Sequence, residues 1–91
     1  MRVKVYIQDK HIASARRGSP YYCPVALAFS DMGQNVGVTR HWITFYSGAT
    51  IYDMNLPKKI QRFIKRFDRG LKVRPISFMA NVPIKRRLTY A

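Results

Sequence analysis

Six basic side chains recur over residues 58–69 at spacings that place most of them on one side of a helix. They are Lys58, Lys59, Arg62, Lys65, Arg66 and Arg69. Arginine binds phosphate or a guanine edge through two parallel hydrogen bonds, and lysine binds phosphate as a point charge. The pattern therefore favours non-covalent binding of a polyanion.

The charge of the whole chain is strongly one-sided. Seventeen Lys and Arg stand against four acidic residues, all of them Asp, for a net charge of +13. Residues 58–87 hold eleven of these cations and one acid, Asp68. Near the end of the chain stands a basic triplet, formed by Lys85, Arg86 and Arg87. Such a field attracts nucleic acid, an anionic membrane surface or an acidic protein.

The cations of residues 58–69 are poorly arranged for the stability of a helix. Lys58–Arg62, Arg62–Arg66 and Lys65–Arg69 are like-charge pairs four residues apart, each costing roughly 0.2–0.5 kcal/mol. A helix that needed only solubility would mix its signs. We therefore interpret this stretch as a binding surface, with a solvated helix face as the alternative.

Residues able to perform catalysis are few. The four Asp are scattered, so the chain has little from which to build a carboxylate pair or a metal cluster. Cys23 precedes a predicted helix, where a thiol can be activated, with His11 or His41 as a base. No further signature surrounds Cys23, so we expect it to be a buried structural residue and the histidines to lie on the surface or in turns. We predict a protein that is not an enzyme and needs no cofactor or metal.

The cationic stretch requires an amphipathic helix over residues 56–70. Ile60, Phe63, Ile64 and Phe67 recur at helical spacing and form an apolar stripe. Pro57 suits the first helical position and Gly70 the position after the end, and Asn55 is a candidate cap.

The other predicted elements follow from periodicity and from the positions of Gly and Pro. A short helix over residues 10–16 has Asp9 as its N-cap and Gly18 as its end. A buried helix begins at Pro24 and is ended by Gly33. The predicted strands are residues 2–7, 36–38, 42–46, 49–53 and 73–79, with a turn at 47–48.

The resulting order, β-α-α-β-β-β-α-β, predicts an α+β fold. We expect a mostly antiparallel sheet of four to five strands, packed with two to three helices on one face. Whether the first and last strands pair stays open. We predict one domain over residues 1–82 and a basic tail over residues 83–91. Pro75 places the start of the last strand at an edge or outside the ladder.

Three aromatic residues of the predicted strands admit two interpretations. Trp42, Tyr46 and Tyr52 are candidate platforms on which the bases of a single strand stack. Strand aromatics usually pack, and for most of the three we expect packing in the core or a place on a surface that completes the fold.

Three short motifs suggest a family. They are the Cys-Pro-Val-Ala-Leu-Ala box at residues 23–28, Leu-Pro at 56–57, and a Phe-Ile-x-x-Phe-Asp-x-Gly helix end at 63–70. Together they resemble a family of small uncharacterised proteins encoded by bacteriophages and prophages, over about residues 3–80. The resemblance implies a phage origin and a shared fold, and it implies no chemistry.

Two functions remain in view. The first is stoichiometric binding to nucleic acid or a nucleoprotein complex through the cationic helix and the tail. The second is a host-takeover or anti-defence inhibitor, for example an anti-CRISPR protein, that binds an acidic surface of a host protein. We expect a cytoplasmic protein with no membrane partner, because no apolar run approaches the ~18 residues of a membrane span. A homodimer is compatible with so small a core.

Overall fold

The computed structural model describes residues 2–47 and 50–82. The elements are β1 (Arg2–Ile7), α1 (Asp9–Ser14), α2 (Pro24–Asp31), β2 (Val36–Val38), β3 (Trp42–Ser47), β4 (Thr50–Asn55), α3 (Lys58–Asp68) and β5 (Ile76–Asn81). The α+β class and the order of the elements are confirmed.

The five strands divide between two antiparallel sheets. β1 pairs with β5, with Val5 opposite Phe78. β3 lies between β2 and β4, with Phe45 opposite Val36 and Tyr52. The structure thus has two sheets where the sequence predicts one. The pairing of the first and last strands, which the sequence left open, makes them a separate two-stranded sheet.

Helix α2 joins the two sheets through the core. It contacts both β1 and β2. Phe29 is fully buried and makes edge-to-face contacts with Phe45 of β3 and Phe78 of β5, at ring-centroid distances of 5.4 and 6.0 Å. One hydrophobic core therefore unites the sheets, and the prediction that this helix is buried is confirmed.

Both ends of α2 follow from local sequence. Cys23 is the N-cap, and its sulfur accepts a hydrogen bond from the Ala26 N–H at 3.4 Å. Pro24 is the first helical residue, where a missing N–H removes no helical bond. Gly33 has a φ of +75°, which favours glycine, and Gln34 N–H donates to the Phe29 carbonyl in a Schellman closure.

Helix α3 buries its apolar stripe as predicted. Ile60, Phe63, Ile64 and Phe67 are all buried. Gly70 has a φ of +78° and closes the helix, again with a Schellman pattern. The start differs by one position, because Pro57 is the N-cap rather than the first helical residue. Asn55 is not the cap, since it ends β4 opposite Trp42.

The region of α1 corrects two expectations. Gln8, not Asp9, is the N-cap, and the helix ends at Ser14. His11 is 5% exposed rather than on the surface. Its Nδ1 accepts the Gln8 N–H at 2.9 Å, and its Nε2–H donates to Asp31 at 2.7 Å. With both ring nitrogens bonded, the imidazole is satisfied inside the protein and ties α1 to α2.

Several strand boundaries also differ from the prediction. β5 begins at Ile76, so Pro75 lies outside the ladder as expected, and residues 73–75 run alongside α3 instead. β4 extends to Asn55, two residues beyond its predicted end. The predicted turn residue Gly48 lies outside the described residues, as does the tail over 83–91.

Candidate anion-binding face

The six cations of α3 lie on its exposed side, opposite the buried stripe. We call Lys58, Lys59, Arg62, Lys65, Arg66 and Arg69 the α3 cation face; each of them is exposed. In the described part of the chain, Lys10 forms an ion pair with Asp31 and His11 donates a hydrogen bond to the same carboxylate, so no ion pair involves this face. Its charges are therefore neither neutralised internally nor removed from solvent.

A groove on one side of α3 brings further cations to this face. Lys59, Arg62 and Arg66 line it together with Lys72 and Arg74, which come from the segment between α3 and β5. We call this the 72–76 groove; its volume is about 450 Å³. Its apolar lining comes from Phe63, Val73, Pro75 and Ile76. The Arg66 Nη2 donates to the Lys72 carbonyl at 3.4 Å, which links the two walls.

A second groove lies between α3 and the two residues that precede β3. It has a volume of about 290 Å³, and we call it the 40–41 groove. Its lining residues are Arg40, His41, Lys58, Gln61, Arg62 and Lys65. Gln61 connects its walls, because its side chain contacts His41 Nδ1 at 3.2 Å and donates to the Leu56 carbonyl at 2.9 Å.

Arg62 lines both grooves and so stands at the centre of the cationic surface. Among the residues that the structure describes, no acid lines either groove. Arg69 lies apart from the grooves, at the C-cap of α3. The tail residues Lys85, Arg86 and Arg87 lie outside the described residues.

Three of the four acids are engaged elsewhere. Asp31 accepts from His11 and pairs with Lys10 at 3.0 Å, and these hydrogen bonds hold its pKa below the ordinary value. Asp53 accepts the Thr44 hydroxyl at 2.7 Å. Asp68, the one acid of α3, accepts the Gly18 N–H at 3.0 Å. This last contact explains why an acid lies near the C-terminus of α3, where the helix dipole disfavours it. Asp68 ties the backbone at Gly18 to the helix.

Sequence reasoning did not select Arg40, His41, Lys72 or Arg74 as site residues. Lys72 and Arg74 fall within the basic last third of the chain, so the sequence showed their charge. It did not show that the segment carrying them runs alongside α3. Arg40 stands alone in a predicted turn. No periodic signal connects it with α3, and only the packing of β3 beside the helix brings it to the groove.

Cys23 does not have the surroundings of an activated nucleophile. It is buried, and burial raises the pKa of its thiol, whereas activation requires a lower one. His11 is bonded to Gln8 and Asp31, and His41 contacts Gln61, so neither histidine is bonded to the sulfur. The expectation that Cys23 is a buried residue beside the core helix is confirmed.

Residues 2–47 and 50–82 contain neither a candidate metal site nor a helix that could span a membrane. No group of three or more His, Cys, Asp or Glu there is placed to hold a metal ion. No helix in the same ranges has the length and apolar character needed to cross a bilayer.

Comparison of the chain with models of known families, with curated proteins and with solved structures yields no match in any of the three. The resemblance to a phage and prophage family, based on residues 23–28, 56–57 and 63–70, therefore stays a prediction.

Proposed function

We propose that this protein binds nucleic acid stoichiometrically, alone or within a nucleoprotein complex, through the α3 cation face and its two grooves. The observation that carries the proposal is the convergence of eight Lys and Arg side chains from three segments, with Arg62 at their centre and no acid among the described lining residues. Like charges gathered this closely repel one another, and a polyanion relieves that repulsion.

The side chains suit phosphate in particular. Arg40, Arg62, Arg66 and Arg74 offer forked donors for phosphate oxygens, and Lys58, Lys59, Lys65 and Lys72 offer point charges. The grooves lie on both sides of α3, so consecutive phosphates of one strand can be bound along them. The tail residues Lys85, Arg86 and Arg87 would add contacts if they reach the same strand.

The test is the salt dependence of binding to labelled mixed-sequence DNA and RNA, measured by fluorescence anisotropy. We expect log K to fall linearly with log salt, with a slope of about −0.9 per phosphate contacted on duplex DNA and about −0.7 on a single strand. Absence of binding to every one of these nucleic acids at low salt would reject the proposal. The acidic-protein hypothesis would then be the remaining one.

A charge reversal locates the surface. Arg62→Glu changes the charge by two units at the centre of the face, and we expect it to weaken binding by roughly tenfold or more and to flatten the salt slope. The matched control is Arg2→Glu, the same change on an exposed arginine of β1, which lines neither groove. Equal losses in the two variants would show that net charge alone drives binding, and the assignment to α3 would be wrong. Arg62→Lys keeps the charge and removes the fork, so an intermediate loss is expected.

A further inference from the structure

The outer face of the β2-β3-β4 sheet carries exposed aromatic rings. Ile43 and Phe45 of β3 point into the core, so Trp42, Thr44 and Tyr46 point outward by the alternation of a strand. Trp42 is 43% exposed and Tyr46 is 42% exposed. Four residues apart, they are separated by about 13 Å along the strand. Tyr52 is exposed as well, so none of the three is a core residue, and of the two structural alternatives a surface that completes the fold is the one that stays open.

A glycine lets two tyrosines lie together at the β2 edge of this face. Gly37 is opposite Thr44, and a Cβ added to it would lie 3.3 Å from the Tyr46 hydroxyl and 3.4 Å from Tyr21 Cε1. A hydrogen bond between Tyr46 and Tyr21 raises the pKa of Tyr46, because it favours the protonated hydroxyl. The absence of a side chain at Gly37 therefore allows both rings to cover the strand.

Beside these rings lies a cleft of about 540 Å³, which we call the tyrosine cleft. Its chemistry comes from Tyr21, Tyr22, Tyr46, Ser30, Gln34 and Asn35. Aromatic rings offer flat surfaces for stacking, and the amides and hydroxyls offer donors and acceptors for the edge of a base. None of the residues lining the cleft is charged. The Arg16 guanidinium lies over the Tyr22 ring, 5.5 Å from its centroid, which places a cation close to that ring.

A third cleft, of about 340 Å³, shares Arg40 with the 40–41 groove. Pro20 also lines it and directly precedes Tyr21 of the tyrosine cleft, and Asp68 is an acid in its lining. Along β3, Trp42 follows His41, whose ring centroid lies 6.4 Å from that of Trp42. Exposed aromatic rings are therefore close in the chain to residues of the cationic grooves.

We propose that the nucleic acid is single-stranded: its bases stack on Trp42 and enter the tyrosine cleft, while its phosphates lie along the 40–41 and 72–76 grooves. This inference rests on the proposed function and specifies its ligand. In a duplex the base faces are already stacked on one another, so only a single strand can offer them to these rings. A preference for single strands follows.

The first measurement uses the one tryptophan of the chain as a probe. Trp42 emission is followed while an unlabelled oligonucleotide of about 12 nucleotides, poly-dT or poly-U, is added to the full chain. Stacking of a base on the indole is expected to quench the emission. A duplex of the same length is expected to bind through its phosphates and to leave the emission unchanged.

The second measurement removes single rings. Trp42→Ala and Tyr21→Ala are each expected to weaken single-strand binding by roughly 5- to 150-fold and to leave duplex binding unchanged. The matched control is Tyr6→Ala: Tyr6 is 56% exposed and has a lysine beside its ring, but it lies on β1 in the other sheet. Thermal melting of each variant checks the fold. Gly37→Ala keeps every aromatic ring, but its added Cβ crowds the rings of Tyr21 and Tyr46.

A substitution at Asp53 is expected to strengthen single-strand binding, whereas the ring substitutions weaken it. Its carboxylate lies on the same sheet face, opposite Thr44, where it repels phosphate. Asp53→Asn is expected to tighten single-strand binding roughly twofold.

The outcomes separate the two proposals. If wild type binds single strands and duplex equally, and if Trp42→Ala and Tyr21→Ala behave like Tyr6→Ala while Arg62→Glu abolishes binding, the single-strand inference is wrong and the proposed function stands. If wild type binds no nucleic acid at low salt, both are wrong.

Discussion

Helices α2 and α3 use their sequences in opposite ways. α2 has apolar residues on nearly every side, and five of its eight residues are buried. Its single charge, Asp31, is bonded to His11 and Lys10. α3 buries four of its eleven residues and exposes six cations if its C-cap, Arg69, is included, none of them paired among the described residues. Most of α2 is thus used for folding, whereas the α3 cation face is exposed and makes no ion pair with the described residues.

This difference predicts that the two helices respond differently to substitution. Changes in α2 are expected to lower the free energy of unfolding, with loss of binding only as a consequence. Changes on the α3 cation face are expected to alter binding and to leave stability intact or raise it.

Phe29→Ala should have the largest effect on stability. The ring is fully buried and contacts Phe45 and Phe78, one from each sheet, so its removal leaves a cavity where the sheets meet. We expect a loss of about 3–5 kcal/mol in the free energy of unfolding, measured by urea denaturation. A loss under about 1 kcal/mol would show that the two sheets do not depend on this contact.

Gly70→Ala tests the end of α3. At a φ of +78° a residue with a Cβ is strained by roughly 1–2 kcal/mol, and the added Cβ would lie 3.2 Å from Arg17 Cζ. We expect destabilisation of that size by denaturation. The control is Ala13→Gly at an exposed helix position, which measures the ordinary cost of exchanging Ala and Gly in a helix.

Arg62→Glu should raise stability while it weakens binding. It replaces the like-charge pairs with Lys58 and Arg66 by pairs of opposite charge, and removing both repulsions and gaining both attractions is worth roughly 0.8–2 kcal/mol at low salt. Thermal melting at low and high salt measures this, and the gain should shrink as salt screens it. A lower melting temperature at both salt concentrations would mean that Arg62 serves the fold, and the contrast between the helices would fail.

Asp31→Asn should give the smallest effect and one that depends on pH. The hydrogen bonds from His11 and Lys10 lower the pKa of Asp31 from its ordinary value of 3.8. A lowered folded-state pKa contributes stability that is present above the unfolded-state pKa and is lost as pH falls through the folded-state pKa. The variant should therefore melt below wild type at neutral pH, and the two should converge below about pH 4. A difference that persists unchanged in acid would exclude the charge of Asp31 as its cause.

The parts of the molecule that could be predicted are those governed by neighbours in sequence. Periodicity predicted both faces of α3, and Gly33 and Gly70 predicted the ends of α2 and α3, because helix geometry and left-handed closure depend on a few adjacent residues. The predicted N-cap of α1 was wrong because side-chain contacts compete there. His11 Nδ1 accepts the Gln8 N–H, and His11 Nε2–H donates to Asp31, which is 20 residues away in the chain.

The candidate site divides in the same way. That α3 has one apolar and one cationic side follows from the order of its residues, since residues three and four positions apart share a face in any helix. The association of Arg40, Lys72 and Arg74 with those cations, and of Tyr21 with Tyr46 over Gly37, depends instead on how the elements pack. Those contacts join residues far apart in the chain, and they form because burial of Phe29 and its neighbours brings the two sheets and the helices together around one core.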